Sequence, residues 1–276
     1  MSYQIAKSTT SAENIASYSQ LLSTVFSKTP KFTVDFLNWQ YSQNPNGTIV
    51  GTDAFFDGKL VAHHATIPVS YMIFGQQAKG LLAINNVTHP SHQGKGLFSK
   101  LGNATFEEAK SLHYDFVITV TNGNSTYGYL NKFGFRQISP LEVKIGCGKV
   151  IPSNKNALVY SNWDNKSLNW RLRNPSTIYF RDNLTVISKT EVYGLFAQIK
   201  NCEDAFLQDL NLHQRKAFFN TWIGLSKDKK VNGCFINMPD KLKPSPLNLL
   251  FKDLQGHIPL FDKDQICFEL ADFDAF

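Results

Sequence analysis

Cysteine is sparse in this 276-residue sequence, and Cys147, Cys202, Cys234 and Cys267 stand far apart. No pair has the Cys-x-x-Cys spacing of a metal or redox site, so no metal is expected and buried free thiols are the default. No apolar run approaches the roughly 20 residues that span a bilayer. The opening residues, Met1-Ser-Tyr-Gln-Ile-Ala-Lys-Ser8, lack the apolar core of a secretory peptide, so a cytoplasmic protein is expected. Long runs of one charge are missing as well. The net charge is only +6, and the clusters Lys227-Asp-Lys-Lys230 and Lys241-Leu-Lys243 are short. They read as solvated loops, not as a nucleic-acid surface. Hydrophobic residues make up 42% of the chain, enough for a real core in two modest domains or one large one.

The most informative stretch is His89-Pro90-Ser91-His92-Gln93-Gly94-Lys95-Gly96-Leu97-Phe98. It follows the strand-like run Leu81 to Val87 and opens a helix-like run from Phe98 to Leu112. A strand, a glycine-bearing turn and a helix N-terminus make an anion cradle. First-turn N–H groups have no intrahelical acceptor, the helix dipole adds positive charge, and glycine lets a phosphate approach the backbone. A second block, Asn122-Gly-Asn-Ser-Thr-Tyr-Gly-Tyr-Leu-Asn-Lys-Phe-Gly134-Phe135, follows a strand at Phe116 to Val120.

Together the two blocks resemble the GNAT superfamily of acyl-CoA N-acyltransferases over residues 55 to 145. Ser91-His92-Gln93-Gly94-Lys95-Gly96 fills the family's (Arg/Gln)-x-x-Gly-x-(Gly/Ala) loop, with Ser91 where Arg or Gln is usual. Lys132-Phe133-Gly134-Phe135 fills its Gly-Phe ending. The resemblance implies a mixed α/β sheet of GNAT type and acetyl-CoA as cosubstrate. Binding is then expected at Val87, Thr88, Ser91, His92, Gln93, Gly94, Lys95, Gly96, Leu97 and Phe98, with Asn122 or Asn124 on the cofactor arm. The oxyanion would be met by backbone N–H groups at Asn86, Val87 and Thr88.

The N-terminal half reads as a strand at 3–6, helices at 11–27 and 34–43, and strands at 52–57, 60–69, 70–75 and 79–88. The loop helix, a strand at 115–121, a short helix at 125–132 and a last strand at 137–145 complete it. An internal repeat is also present. Phe36-Leu37-Asn38-Trp39 through Asn44-Pro45 recurs as Ser167-Leu168-Asn169-Trp170 through Asn174-Pro175, each copy followed by a strand-turn-strand pattern. Two tandem GNAT-like domains are therefore expected, 1–149 carrying the acetyl-CoA site and 150–276 degenerate. After Ile199 no glycine loop follows; a helix at 212–225, a strand at 231–237 and a short helix at 246–254 are expected there.

For chemistry, the family often places a Glu on the strand before the loop, whereas here that strand carries the neutral amides Asn85 and Asn86. Such amides hold a water but accept no proton at neutral pH. His63 and His64 are the nearest candidate bases; adjacent strand residues face opposite sides, so only one can look into the cleft, and each also reads as a structural histidine. The family's thiolate-protonating Tyr falls at Leu130, leaving Tyr127 and Tyr129 as candidates or as half-buried aromatics. Trp39 and Trp170 read as core. His89 and His92 flank the loop and either touch phosphate or remain solvated. The terminal carboxylate of Phe276 resembles that of aminoglycoside-acetylating GNATs of the enhanced-intracellular-survival type, though a frayed acidic tail is the simpler reading. No cysteine lies in the loop or turn, so direct transfer to a small-molecule amine is expected, with an amino sugar as one option and a peptide or protein acceptor as another. The rival is a non-enzymatic acyl-CoA sensor or partner-binding module.

Overall fold

A computed structural model of the chain describes residues 2–208, 210, 212–243 and 245–273. In chain order these form β1 (Gln4–Lys7), α1 (Ala12–Val25), α2 (Val34–Ser42), β2 (Val50–Phe56), β3 (Lys59–Ile73) and β4 (Gln76–Thr88). Then follow α3 (Leu97–Ser111), β5 (Phe116–Thr121), α4 (Gly123–Phe133), β6 (Arg136–Pro140), β7 (Glu142–Ile151), β8 (Val159–Ser161) and α5 (Asn165–Arg171). The remainder is β9 (Tyr179–Asp182), β10 (Thr185–Lys189), β11 (Leu195–Asn201), α6 (Asp204–Gln208), β12 (Phe219–Gly224), β13 (Lys230–Asn237), β14 (Asn248–Asp253) and β15 (Ile266–Cys267). None of the helices is long and apolar enough to cross a membrane among the described residues. The Phe276 carboxylate lies outside them.

Local chemistry sets the helix starts. Ser11 accepts a hydrogen bond from Asn14 N at α1, and Thr33 accepts one from Phe36 N at α2. Ile15, Tyr18, Leu21 and Leu22 recur at helical spacing and bury against the sheet. Asp57 and Gly58 both adopt positive φ between β2 and β3, and Phe74 and Gly75 do so between β3 and β4. Such paired left-handed turns match strand twist and close tight hairpins. The expected strands 60–69 and 70–75 are thus one strand, β3.

Two mixed sheets result. The first has order β1-β2-β3-β4-β5-β14-β6, with β8 and β15 added at the far end of β3; the second has order β13-β7-β12-β11-β10-β9. Each contains one parallel pair of consecutive strands in its own half, β4 with β5 and β11 with β12. Outside each pair lies a strand from the other half. β14 inserts between β5 and β6, and β7 inserts between β12 and β13. The halves thereby exchange equivalent strands.

Several expectations are corrected by this arrangement. The expected strand 137–145 is two strands, broken at Leu141, that enter different sheets. The stretches read as helices at 212–225 and 246–254 contain β12 and β14 instead, because each is wanted between two strands that lack a partner. The expected division at 149/150 falls inside β7. Not all the thiols are buried: Cys234 is exposed, opposite Cys147 across β7 and β13.

The two repeat copies meet directly. Trp39 and Trp170 stack at 4.9 Å, and each indole N–H donates to the other's backbone carbonyl, at 2.8 and 3.0 Å. In both Asn-Pro turns the asparagine carboxamide oxygen accepts a backbone N–H two residues on. Core packing of both tryptophans is as expected from the repeat.

Phe251 of β14 is buried and stacks on Phe116 of β5 at 5.2 Å. Phe251→Ala should lower unfolding free energy by about 3–5 kcal/mol, read as a shift of the urea midpoint. A change below about 1 kcal/mol would mean that β14 is not part of the first sheet's core.

Candidate active site

Strands β4 and β5 pair only from Gly80 to Leu82 against Phe116 to Ile118. Beyond that they part, and the Thr119 hydroxyl, not a backbone group, reaches the Ala83 carbonyl at 3.0 Å. The gap opens into a cleft of about 1320 Å³, including its mouth. Its floor is the end of β4, Ala83 to Thr88, and its walls come from β5, α4, the end of α1 and the glycine loop.

The floor is bent by a bulge. His63 pairs with Val87 and Ala65 with Ile84, so His64 alone faces both Asn85 and Asn86. Asn85 takes φ +51°, a left-handed value that asparagine tolerates better than most residues. The Asn86 carboxamide oxygen accepts from Ala65 N at 2.8 Å, and its amide donates to the Tyr129 hydroxyl. The bulge therefore sets the Asn86 carboxamide between β3 and the Tyr129 hydroxyl of α4.

At the outer end, Gly94 and Gly96 have φ of +72° and +74°, and a Cβ at either would point into open space. The requirement for glycine there is conformational. Gly96 caps α3 with no side-chain hydrogen bond, so the first-turn N–H groups of α3 are left to an external acceptor. Gln93 and Phe98 reach the cleft, and Gln93 Nε2 lies 3.4 Å from the Thr88 carbonyl. Val87 and Thr88 also line it.

Other expected loop contacts are not brought to the cleft. The Ser91 N–H donates to His89 Nδ1 at 3.3 Å. His92 Nδ1 pairs with the Tyr3 hydroxyl at 3.0 Å and its ring packs on Phe56. Leu97 is buried beside Ala54 and Val61, so its side chain anchors α3 and only its backbone could serve a ligand. Of the two asparagines, Asn122 caps α4, accepting from Asn124 N and Ser125 N at 3.1 and 3.0 Å. Both asparagines are exposed and line the cleft, Asn124 with its side chain not engaged in the cap.

Tyr127 and Tyr129 separate cleanly. Tyr127 is 69% exposed at the mouth, whereas Tyr129 is 2% exposed, with its hydroxyl held by Asn86 at the floor. Burial pushes the Tyr129 phenol well above its ordinary pKa, so it keeps its proton at any ordinary pH.

Neither histidine lines the cleft. His64, read as a candidate base, sits among Phe98, Phe106, Tyr129 and Phe133 with no partner for either ring nitrogen. Burial, with His63 beside it, drops its pKa to about 3, so it is a neutral packing group and no base. His63 instead lies between Asp53 and Tyr41, at 2.6 and 3.1 Å, and stacks on Tyr18. Cys202 and Cys267 are buried thiols pushed up to about 12, and no cysteine lines the cleft. Sequence reading missed Gln40, Tyr41 and Asp53. Asp53 was detectable as the one charged residue of the β2 segment Val50–Phe56.

The buried neutral His64 makes stability pH-dependent. An unfolded chain takes up this proton near 6.5, the folded one only near 3, so stability falls as pH drops between them. The slope approaches about 1.4 kcal/mol per pH unit. His64→Leu should flatten the wild-type fall in Tm between pH 6.5 and 4; parallel Tm curves would show that His64 is not the group responsible.

Residues 7–138 match the model of the acetyltransferase (GNAT) domain. No curated protein sequence matches the chain significantly. Among solved structures, a GCN5-related N-acetyltransferase from Anabaena variabilis superposes with a TM-score of 0.58 at 11% identity, over 92% of this chain and 73% of that one. A GCN5-related N-acetyltransferase from Kribbella flavida gives 0.56 at 9% identity, over 92% and 72%. At such identities the likeness is one of fold, and it extends over both halves. Together with the glycine loop, the splayed strands and the Asn-capped α4, the match identifies an acetyltransferase (GNAT) domain over residues 7–138 of this chain.

Proposed function

We propose that this protein is an acetyl-CoA-dependent N-acetyltransferase acting on a primary amine of a small molecule by direct transfer. The observation that carries this reading is one cleft in which the β4–β5 gap, the uncapped start of α3 and the buried Tyr129 phenol converge. In this reading residues 1–149 hold the site and 150–276 are a supporting copy. After β11 the second half has Cys202-Glu203 and the short α6 where the first has its glycine loop, so it has no comparable cradle.

The residues present fit a pyrophosphate-bearing thioester. Backbone N–H groups at Gly94 to Phe98 would receive the phosphates, and Gln93 and Asn124 would meet polar groups of the arm. The unpaired edge of β4 offers amide partners in the gap. Acetyl-CoA supplies an already activated carbonyl. Backbone N–H groups at Asn86 to Thr88 would stabilise the oxygen as it gains charge. The Tyr129 hydroxyl holds a proton that it can give to the departing sulfur as the C–S bond breaks. Among the described residues the cleft lining carries amides, hydroxyls and Lys132 but no carboxylate or histidine, so in this reading the amine's own proton leaves to water.

Calorimetric titration with acetyl-CoA should show one phosphate-dependent site per chain. Gly94→Asp should weaken binding by about 100-fold or more, through charge at the cradle. Gly256→Asp is the control, because Gly256 has a similar φ of +79° and open surroundings away from the cleft. Equal losses in both variants would remove the cradle assignment. Tyr129→Phe should lower kcat about 100-fold with acetyl-CoA affinity little changed, measured as thiol release with phenethylamine and with glucosamine. Tight binding without transfer to any amine would favour a sensor.

A further inference from the structure

A line of buried hydrogen bonds runs from the interior to the cleft floor. Ser8 Oγ and Tyr18 Oη donate to Asp53 at 2.8 and 2.7 Å, and His63 Nδ1 lies 2.6 Å from the same carboxylate. His63 Nε2 lies 3.1 Å from Tyr41 Oη, which accepts from Asn85 Nδ2 at 2.9 Å. Asn85 Nδ2 also donates to Gln40 Oε1 at 2.6 Å. Asp53, His63, Gln40 and Tyr41 are all at most 1% exposed.

The direction of these bonds follows from their inner end. A carboxylate only accepts, so a proton faces Asp53 from His63 Nδ1; in the neutral ring that the proposal requires, Nε2 is left to accept. The Tyr41 hydroxyl then donates to Nε2 and its oxygen receives Asn85. Every bond from Asn85 to Asp53 then donates away from the cleft. Both Asn85 amide hydrogens are committed inward, to Tyr41 and Gln40, and the Asn85 oxygen is left for the cleft side. Asn85 borders both the cleft and an adjoining hollow, about 740 Å³ including its open mouth, where Phe26, Phe32, Ile84, Val120 and Phe273 are joined by Thr29 and Lys31.

We infer that Asn85 Oδ1 accepts an N–H of the acceptor amine, and that Asp53, through His63 and Tyr41, is the positioning residue that holds it in that orientation. The inference rests on the acetyl-transfer reading. As the amine nitrogen bonds to the acetyl carbon it gains positive charge and its N–H becomes a stronger donor. A fixed carboxamide oxygen therefore favours the transition state over the bound amine. A flipped amide would present N–H groups to the nucleophile instead. The aromatic and aliphatic part of the hollow suits an amine carried on an aromatic or aliphatic group.

The direct test is the histidine side-chain ¹⁵N spectrum of the wild-type protein at pH 7.5. A neutral Nδ1–H tautomer for His63 is expected; an Nε2–H tautomer or a doubly protonated ring would make Nε2 a donor to Tyr41 and overturn the proposal. Tyr41→Phe and Asp53→Asn are then assayed by thiol release from acetyl-CoA with phenethylamine. Each should lower kcat/KM for the amine about tenfold and leave acetyl-CoA affinity unchanged, and the double variant should lose no more than the worse single. Wild-type kcat/KM in correctly folded variants would also overturn it. If wild type binds acetyl-CoA yet acetylates no amine, the acetyl-transfer reading fails, whereas the tautomer still decides the chain's direction.

Discussion

Strand β5 is hydrogen-bonded along its full length on one edge only. Over Phe116 to Thr121 it pairs residue for residue with β14, while on the other edge it meets β4 for just three positions. That asymmetry is what lets a cleft exist inside a sheet. A strand released from one neighbour needs the other to hold it straight, and β14 comes from the far half of the chain. The second half thus supports the site by lending a strand, whatever else it does. It receives β7 in return, placed against β12 in the equivalent position.

The second constraint is the bulge at Asn85–Asn86. An extra residue in β4 costs a ladder bond, which the Asn86 carboxamide restores by accepting from Ala65 N. In exchange the two amides face different ways. Asn86 engages Tyr129 and Asn85 engages Tyr41 and Gln40, so one local distortion links the cleft floor to α4 and to the helical layer beneath.

Burial divides the titratable groups around this floor by role. Tyr129, dry and bonded to an amide, stays protonated, which suits a proton donor. His64, dry and bonded to nothing, stays neutral and packs like an aromatic. His63 is equally buried but has a carboxylate on one side and a phenol on the other. Two adjacent histidines thus have unrelated chemistry, because the pleat sends one toward α1 and α2 and the other toward α3 and α4.

Features with local causes were legible in the sequence alone. The glycine turn, the Asp57-Gly58 hairpin, the periodic face of α1 and the matching Trp39 and Trp170 segments each depend on residues a few positions apart. So did the absence of a glycine loop in the second half. Tertiary structure decided the rest. The short apolar runs around Trp222 and Leu250 fit a helix or a strand equally well, and became strands because each is paired on both edges, β12 between β11 and β7 and β14 between β5 and β6. The tyrosine facing the cleft, the histidine bound to a carboxylate, and the residue closing the line from Asp53 to Asn85 all depend on strand register. Register is a relation between distant segments, set only when the sheets assemble.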